Sequence, residues 1–379
     1  MVHETDSSRD RSRRAVIGAV GATGLGLVGS TSVGASSDGD PTPIDSPTVI
    51  EEPGEYELVA DLEPEELDQR GCIVVNLQDE HGEFTLYGNG HTIDLGNITS
   101  GSFDPGRIDP SCITLNRPPR NSPWGPNRSV DWDTTIENVE LRGGYCGIFS
   151  RIGGGGRFSE ITATENENGL WFASDTGRLR DCTITENYRG VYVQASVQDW
   201  GRRSEIDVEN CTVEANGTWY PSPGRDKGHG IWVSHQSDAQ IGSSRIVGNG
   251  NGIQVSAWDA NAVIEGNHIC YNDQYGIEGQ LYLADDDERE SPRQPRVQAT
   301  GNYWGTANGP SSRLSQNYRH GRGVRRELIE PDEPFTDPET GRPADGDGDA
   351  ISESLESGVT NVYFDPFSET PLEDVGDRR

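Results

Sequence analysis

Asn166-Glu167-Asn168-Gly169-Leu170-Trp171-Phe172 returns 21 residues later as Asn187-Tyr188-Arg189-Gly190-Val191-Tyr192-Val193. The same figure, a glycine followed by an aliphatic residue, stands at Gly147-Ile148, Gly230-Ile231, Gly252-Ile253 and Gly276-Ile277. Asparagine precedes the glycine by three residues at Asn166, Asn187 and Asn249 and by four at Asn272; Asn216 holds that place before an insertion. Three residues before each asparagine is a small aliphatic: Ala163, Ile184, Val213, Ile246 or Ile269. A repeat of twenty-odd residues is the mark of a solenoid.

The local period says which kind. Around each glycine the apolar residues alternate, as in Gly230-Ile231-Trp232-Val233, and period two means strand. Successive coils then stack their strands in parallel as turns of a β-helix. Asparagine tolerates the left-handed backbone of a sharp corner. Stacked at one corner, Asn166, Asn187, Asn216, Asn249 and Asn272 are expected to bond one another as an internal ladder.

The pattern N-x-[IV]-x-x-N-x-x-G-[IV], seen from Asn267 to Ile277 with one extra residue before the glycine, resembles the repeat of the NosD-like, carbohydrate-binding and sugar-hydrolase superfamily. Gly54 to Leu58, Gly71 to Val74 and Leu86 to Ile93 resemble its first coil. Gly301 to Gly305, Asn308 to Ser311 and Val362 to Pro366 resemble its last. The resemblance spans about residues 50 to 368. It implies an all-β, right-handed parallel β-helix and leaves the activity open.

Ser12-Arg13-Arg14 before a short glycine-rich apolar run resembles a twin-arginine export signal, with Val33-Gly34-Ala35 as its cleavage site. The run is too short and glycine-rich to span a bilayer. The expected organisation is a signal over 1–35, a linker over 36–49, the β-helix over 50–310 and an acidic C-terminal segment with a cap over 311–379. The formal charge is −32, with Lys227 the only lysine. Such self-repulsion is relieved by salt, so the composition resembles that of proteins from halophilic archaea. It argues against nucleic acid and anionic membrane as partners. An exported, extracellular or cell-surface protein follows.

Cys72, Cys112, Cys146, Cys182, Cys211 and Cys270 are expected as buried thiols rather than disulfides. Strands stack about 4.8 Å apart, whereas disulfide β-carbons stand about 3.8 Å apart.

For chemistry, the residue two after each glycine is expected to point outward. It is Phe149, Trp171, Tyr192, Trp232, then Gln254 and Glu278. Four rings in a row read as an exposed carbohydrate-binding stripe, with Arg151, Gln194 and Ser234 beside it for hydrogen bonds. A self-stacked ladder that only covers a sheet is the plain alternative. Gly228-His229-Gly230 resembles a polygalacturonase motif but lacks that family's aspartate pair and basic partner, leaving His229 as a residue before a repeat glycine. Acids at Asp259, Glu278 and Asp285-Asp286-Asp287-Glu288, near Arg289, offer a lyase edge. Asp345 to Glu356 matches much of a calcium loop, with Ala350 where glycine is required. Copper is disfavoured because Met1 is the only methionine. No cofactor is expected beyond that calcium. The reading is a salt-adapted β-helix that binds polysaccharide. The alternatives are a polysaccharide lyase or hydrolase, and a structural surface protein without ligand.

Overall fold

The computed structural model describes residues 31–33, 39–67, 71–77, 81–96, 110–115, 131–151, 154–173, 175–195, 203–217, 228–256, 260–280, 296–320, 323–352 and 360–376. Among these residues the regular elements are all strands. Three parallel sheets of twelve, eleven and seven strands wind around one core, and a two-stranded antiparallel ribbon forms a fourth sheet. Here they are called the long, rear and short sheets. One coil runs from the short sheet (Thr183–Thr185) to the long sheet (Arg189–Gln194) to the rear sheet (Ser204–Glu209), and then to the short sheet again at Thr212–Glu214. The core is the inward half of each strand: Leu170, Val191, Ile231 and Ile253 from the long sheet, Leu179 and Val208 from the rear, Ile184 and Val213 from the short.

The repeat glycines stand where neighbouring coils come closest. A Cβ at Gly190 would lie 2.4 Å from the carbonyl oxygen of Gly230, and one at Gly252 the same distance from that of Gly276. Any side chain there would push adjacent coils apart, so the glycine and the rung spacing are one requirement.

The asparagines form a continuous buried column. Asn166 Nδ2 donates to Asn187 Oδ1 at 3.1 Å, Asn187 to Asn216, Asn216 to Asn249 and Asn249 to Asn272 at 3.0 Å each. Each of those oxygens also accepts the backbone N–H of the asparagine before it. The left-handed residue of the corner is not the asparagine, however. It is the residue before it: Glu165, Glu186, Ala215, Gly248 and Tyr271, with φ between 56° and 66°. The asparagine is chosen for its amide, which bonds along the stack, and its neighbour takes the strain.

A second column occupies the next corner, between the rear and short sheets. Cys211 N–H donates to Ser244 Oγ (3.1 Å), Ser244 N–H to Asn267 Oδ1 (2.9 Å), and Asn267 Nδ2 to Asn302 Oδ1 (3.0 Å). Cys182 stacks on Cys211 at its start. All six cysteines are free and buried, and burial pushes the thiols of Cys72 and Cys146 up to about 12.

The coils extend beyond the span expected for them. Thr42–Ile44 and all of Thr48–Ile50 but its last residue fall in the expected linker, yet they pair with Gly54–Leu58 and Gly71–Val75 as the first rungs. Thr31–Val33, inside the expected signal, pairs with Thr48–Ile50. At the other end Gly348–Ile351 inserts between Ile277–Gln280 and Pro310–Ser312, out of chain order. This corrects the calcium loop. Asp347 Oδ2 accepts from Asn308 at 3.0 Å, and Asp349 turns into the asparagine column, where Asn272 Nδ2 donates to its Oδ2 at 2.7 Å. The two carboxylates serve different partners on and beside a strand, so they do not converge on a cation; Glu356 lies outside the described residues.

Asp349 therefore ends the ladder with a charge where the other rungs have an amide. Burial raises its carboxyl to about 6, against hydrogen bonds from Asn272 that lower it. The folded chain holds this proton more tightly than the unfolded one. Its contribution to stability is thus complete below about pH 4 and is lost as pH rises through about 6. Asp349→Asn continues the ladder without charge. It is expected to raise stability at pH 8 by about 2–3 kcal/mol relative to the parent and to leave pH 4 nearly unchanged. Paired thermal melts in high salt at the two pH values measure it, and an equal shift at both would contradict the assignment.

Candidate functional site on the outer face of the long sheet

Three columns of the long sheet face away from the core: alternation places two of them, and the residue before each glycine turns outward because the glycine itself faces the asparagine column. The middle one is Phe149, Trp171, Tyr192, Trp232, Gln254 and Glu278 in unbroken register. Its rings pack on one another, with centroids 5.1 Å apart for Phe149–Trp171, 5.3 Å for Trp171–Tyr192 and 4.6 Å for Tyr192–Trp232, the last pair stacked at 21°. The stripe is therefore not the exposed platform the sequence suggested. Phe149 and Tyr192 are 8 % exposed, Trp171 and Trp232 half-buried. The physical reason is the rung spacing of about 4.8 Å. Rings repeated at that distance must lie against each other, and their faces are used up in doing so. Burial pushes the Tyr192 phenol up to about 12. Gln254 and Glu278 are buried too, with Gln254 Nε2 donating to Glu278 Oε2 at 2.9 Å.

The column on one side holds Arg151, Ala173, Gln194, Ser234 and Ser256. Gln194 is half-buried and Ser234 fully buried, its hydroxyl against His235 Nδ1. Ser256 Oγ accepts from Trp232 Nε1 at 2.7 Å. The column on the other side, the residue before each glycine, was not singled out from the sequence except at His229. It runs Cys146, Asn168, Arg189, His229, Asn251. Arg189 lies 5.1 Å from the Trp232 ring centre and 5.4 Å from that of Tyr192, and its Nη1 donates to Asn168 Oδ1 at 3.0 Å. His229 stands 5.1 Å from Trp232 and meets Asn251 Nδ2 through Nδ1 at 3.1 Å. The available signal was the polar residue that precedes glycine in one coil after another.

Polar atoms on this face that are closed to solvent with no hydrogen-bond partner include Trp171 Nε1, Arg189 Nε, Asn251 Oδ1 and, at the adjoining corner, Gln274 Oε1. Buried polar groups are ordinarily satisfied, so such a concentration calls for a reason. In chain order the segments 97–109 and 218–227 lead into this sheet, and 116–130, 196–202, 257–259 and 281–295 lead out of it. Asp259, Asp285 to Glu288 and Arg289 of the lyase edge fall in those segments, outside the described residues.

The rear sheet carries a different feature, an open depression of about 740 Å³. Arg157, Arg178, Glu205, Asp207 and Asp238 line it. Its charges pair between coils, Arg178 with Asp207 at 3.0 Å and Arg157 with Asp133 at 3.3 Å. Among the described residues no group of three histidine, cysteine or carboxylate side chains is placed to hold a metal ion.

A family model described as "Right handed beta helix region" matches residues 127–269. No curated protein and no solved structure matches the chain. Together with the three parallel sheets, the family match makes the fold a right-handed parallel β-helix.

Proposed function

We propose that the chain is an exported, salt-adapted β-helix that binds a carbohydrate polymer on the outer face of its long sheet. The observation that carries this reading is the set of unpartnered polar atoms of Trp171, Arg189, Asn251 and Gln274 beside one aromatic row. Donors and acceptors held ready next to apolar surface suit a sugar, which offers hydroxyls at its rim and C–H groups on its faces. The ring faces themselves are occupied by one another, so polar contacts at their edges, not stacking, supply the recognition. These atoms are closed to solvent, so binding here requires what borders the sheet to give way. Export rests on Arg13-Arg14, and salt adaptation on the charge of −32. Binding is favoured over hydrolysis because Glu278 is the one carboxylate in the three outward columns among the described residues, and glycoside hydrolysis ordinarily takes two.

A second reading places the polymer in the rear-sheet depression, which is already open. The test is a panel of acidic and neutral polysaccharides, immobilised in molar salt, with parent, Arg189→Ala and the double variant Arg157→Ala, Arg178→Ala. The first reading expects Arg189→Ala to weaken retention at least about tenfold, worth about 1.4 kcal/mol, and the double variant to bind as the parent does. The reverse pattern moves the site to the rear sheet. Retention of no polysaccharide by the parent rejects carbohydrate binding, and release of shortened products makes the chain an enzyme.

A further inference from the structure

After the last strand of the rear sheet, Val362–Tyr363, the chain turns back on itself. Phe367 packs against the core, with the Arg342 guanidinium 4.1 Å from its ring centre. From there residues 368–376 run along the short-sheet side of the coils, from the last rung toward earlier ones. Ser368 N–H donates to Asn302 O at 2.9 Å, Leu372 N–H to His268 Nε2 at 2.7 Å and Gly376 N–H to Ser243 O at 3.2 Å, while Thr212 Oγ1 donates to Gly376 O at 2.8 Å. Tyr303, His268, Arg245 and Thr212 are register partners on successive rungs. One short segment therefore ties these coils together from outside.

The tip of the segment is fitted closely. Gly376 takes φ 69°, and a Cβ on it would lie 2.7 Å from Arg245 Cβ and 3.2 Å from the carbonyl oxygen of Cys211. Val375 beside it is buried. Between this tip and Phe367, however, Glu369, Thr370, Pro371, Glu373 and Asp374 are exposed. A segment with so little buried apolar surface opens locally at small cost. The hydrogen bond at its middle is that of Leu372 to His268. A backbone N–H can only donate, so Nε2 has to accept, and only the neutral imidazole has an acceptor to offer. Protonation puts a second donor where the lone pair was.

We infer that residues 368–376 are a pH-released strap: neutral His268 latches them across the last coils, and acid lets them go. The charged and titratable groups on the elements packed around His268 are few. Arg245 stands on the preceding rung, with Glu214 at 3.6 Å from its guanidinium; Tyr303 follows, its ring centre 5.5 Å from that of the imidazole; Glu369, Glu373 and Asp374 lie on the strap. Arg245 disfavours an imidazolium and the three carboxylates favour one. Those carboxylates are exposed, and molar salt screens them beyond about 3 Å. The hydrogen bond then decides, and since an imidazole ordinarily titrates near pH 6.5, release is expected between about pH 7 and pH 5. Asp349 works in the opposite sense. Its protonation in acid stabilises the chain, so it does not loosen the strap as pH falls. Release bares the row from Thr212 to His268. It also removes the outer tie from Thr212–Glu214, Arg245–Val247 and His268–Cys270, which lead into the strands of Trp232, Gln254 and Glu278.

The test is hydrogen–deuterium exchange of the full chain in molar salt at pH 7.5 and pH 5, with rates corrected for the intrinsic effect of pH. Mass spectrometry follows the peptides that cover 368–376. Parent and His268→Phe are compared once their far-ultraviolet spectra agree. The parent strap is expected to be protected at pH 7.5 and to exchange at least about tenfold faster at pH 5, while the core strand Arg189–Gln194 keeps its protection. The phenylalanine variant has no acceptor, so its strap is expected to exchange at both pH values as the parent's does in acid. A parent strap that is equally protected, or equally open, at both pH values overturns the inference. So does a His268→Phe strap that keeps the parent's pH dependence, because another group would then be the latch. If that variant does not fold, His268→Gln takes its place: its amide does not titrate, and pH dependence that survives in it overturns the inference in the same way. None of these results depends on carbohydrate binding.

Discussion

Asn216→Ala is expected to lower the stability of the chain by about 3 kcal/mol, the upper part of the range for orphaned buried polar groups. The Asn216 side chain does four things at once. Its Oδ1 accepts both the backbone N–H and the Nδ2 of Asn187, at 3.1 and 3.0 Å, and its Nδ2 donates to Ile184 O and Asn249 Oδ1, at 3.0 Å each. Alanine leaves the N–H of Asn187 and the carbonyl of Ile184 without those partners, in a corner where both asparagines are fully buried. Tyr271→Asn makes the comparison: that ring is 76 % exposed and sits at φ 61°, a backbone asparagine accepts. Its effect is expected within about 0.5 kcal/mol. Thermal melts in high salt measure both, and equal losses would mean that the column is not what holds the corner. Gln254, which the sequence placed on the surface, is no control, because it is buried against Glu278.

The second large effect is that of salt. Diluting from molar to about 0.1 M salt lengthens electrostatic screening from about 3 to about 10 Å, twice the rung spacing. Carboxylates on neighbouring coils then repel one another. The exposed ion pairs of the rear sheet, such as Arg178 with Asp207, offset little of this, because each is worth at most about 1 kcal/mol. The melting temperature is expected to fall steeply on dilution and the β-type dichroism to be lost at the low end. A melt that does not move between these conditions would contradict salt adaptation and leave the charge of −32 without that explanation.

The fold was legible because its constraints repeat. Glycine at the closest approach, asparagine at the corner and an aliphatic residue facing in recur in coil after coil, and each recurrence confirms the register of the last. The second column was hard to see because its members are chemically mixed: Cys182, Cys211, Ser244, Asn267 and Asn302 share a position but no residue type. Asp349 was misread for another reason. It reaches the asparagine ladder across 77 positions of sequence, and local spacing made it look like part of a loop.

At the candidate site, alternation gave the direction of Trp171, Tyr192 and Trp232 correctly but not their exposure. Direction is a property of one strand, whereas exposure depends on what stacks above and beside it. The polar column before the glycines was legible in principle. Asn168, Arg189 and His229 each flank a repeat glycine, but beside so regular a glycine they pass for spacers.

The central claim, that this face binds a polymer, is tested most directly by Trp171→Phe. The indole N–H of Trp171 is buried without a partner, so its removal breaks no hydrogen bond in the free chain. If the face awaits a ligand, calorimetric titration in molar salt with the polysaccharide that the parent retains is expected to show affinity reduced at least about tenfold. The melt of the free variant is then expected to be equal to or higher than the parent's, since an unsatisfied donor is gone. Unchanged affinity together with a lower melt would show Trp171 to be a packing residue only, and would contradict the assignment of this face as the binding site.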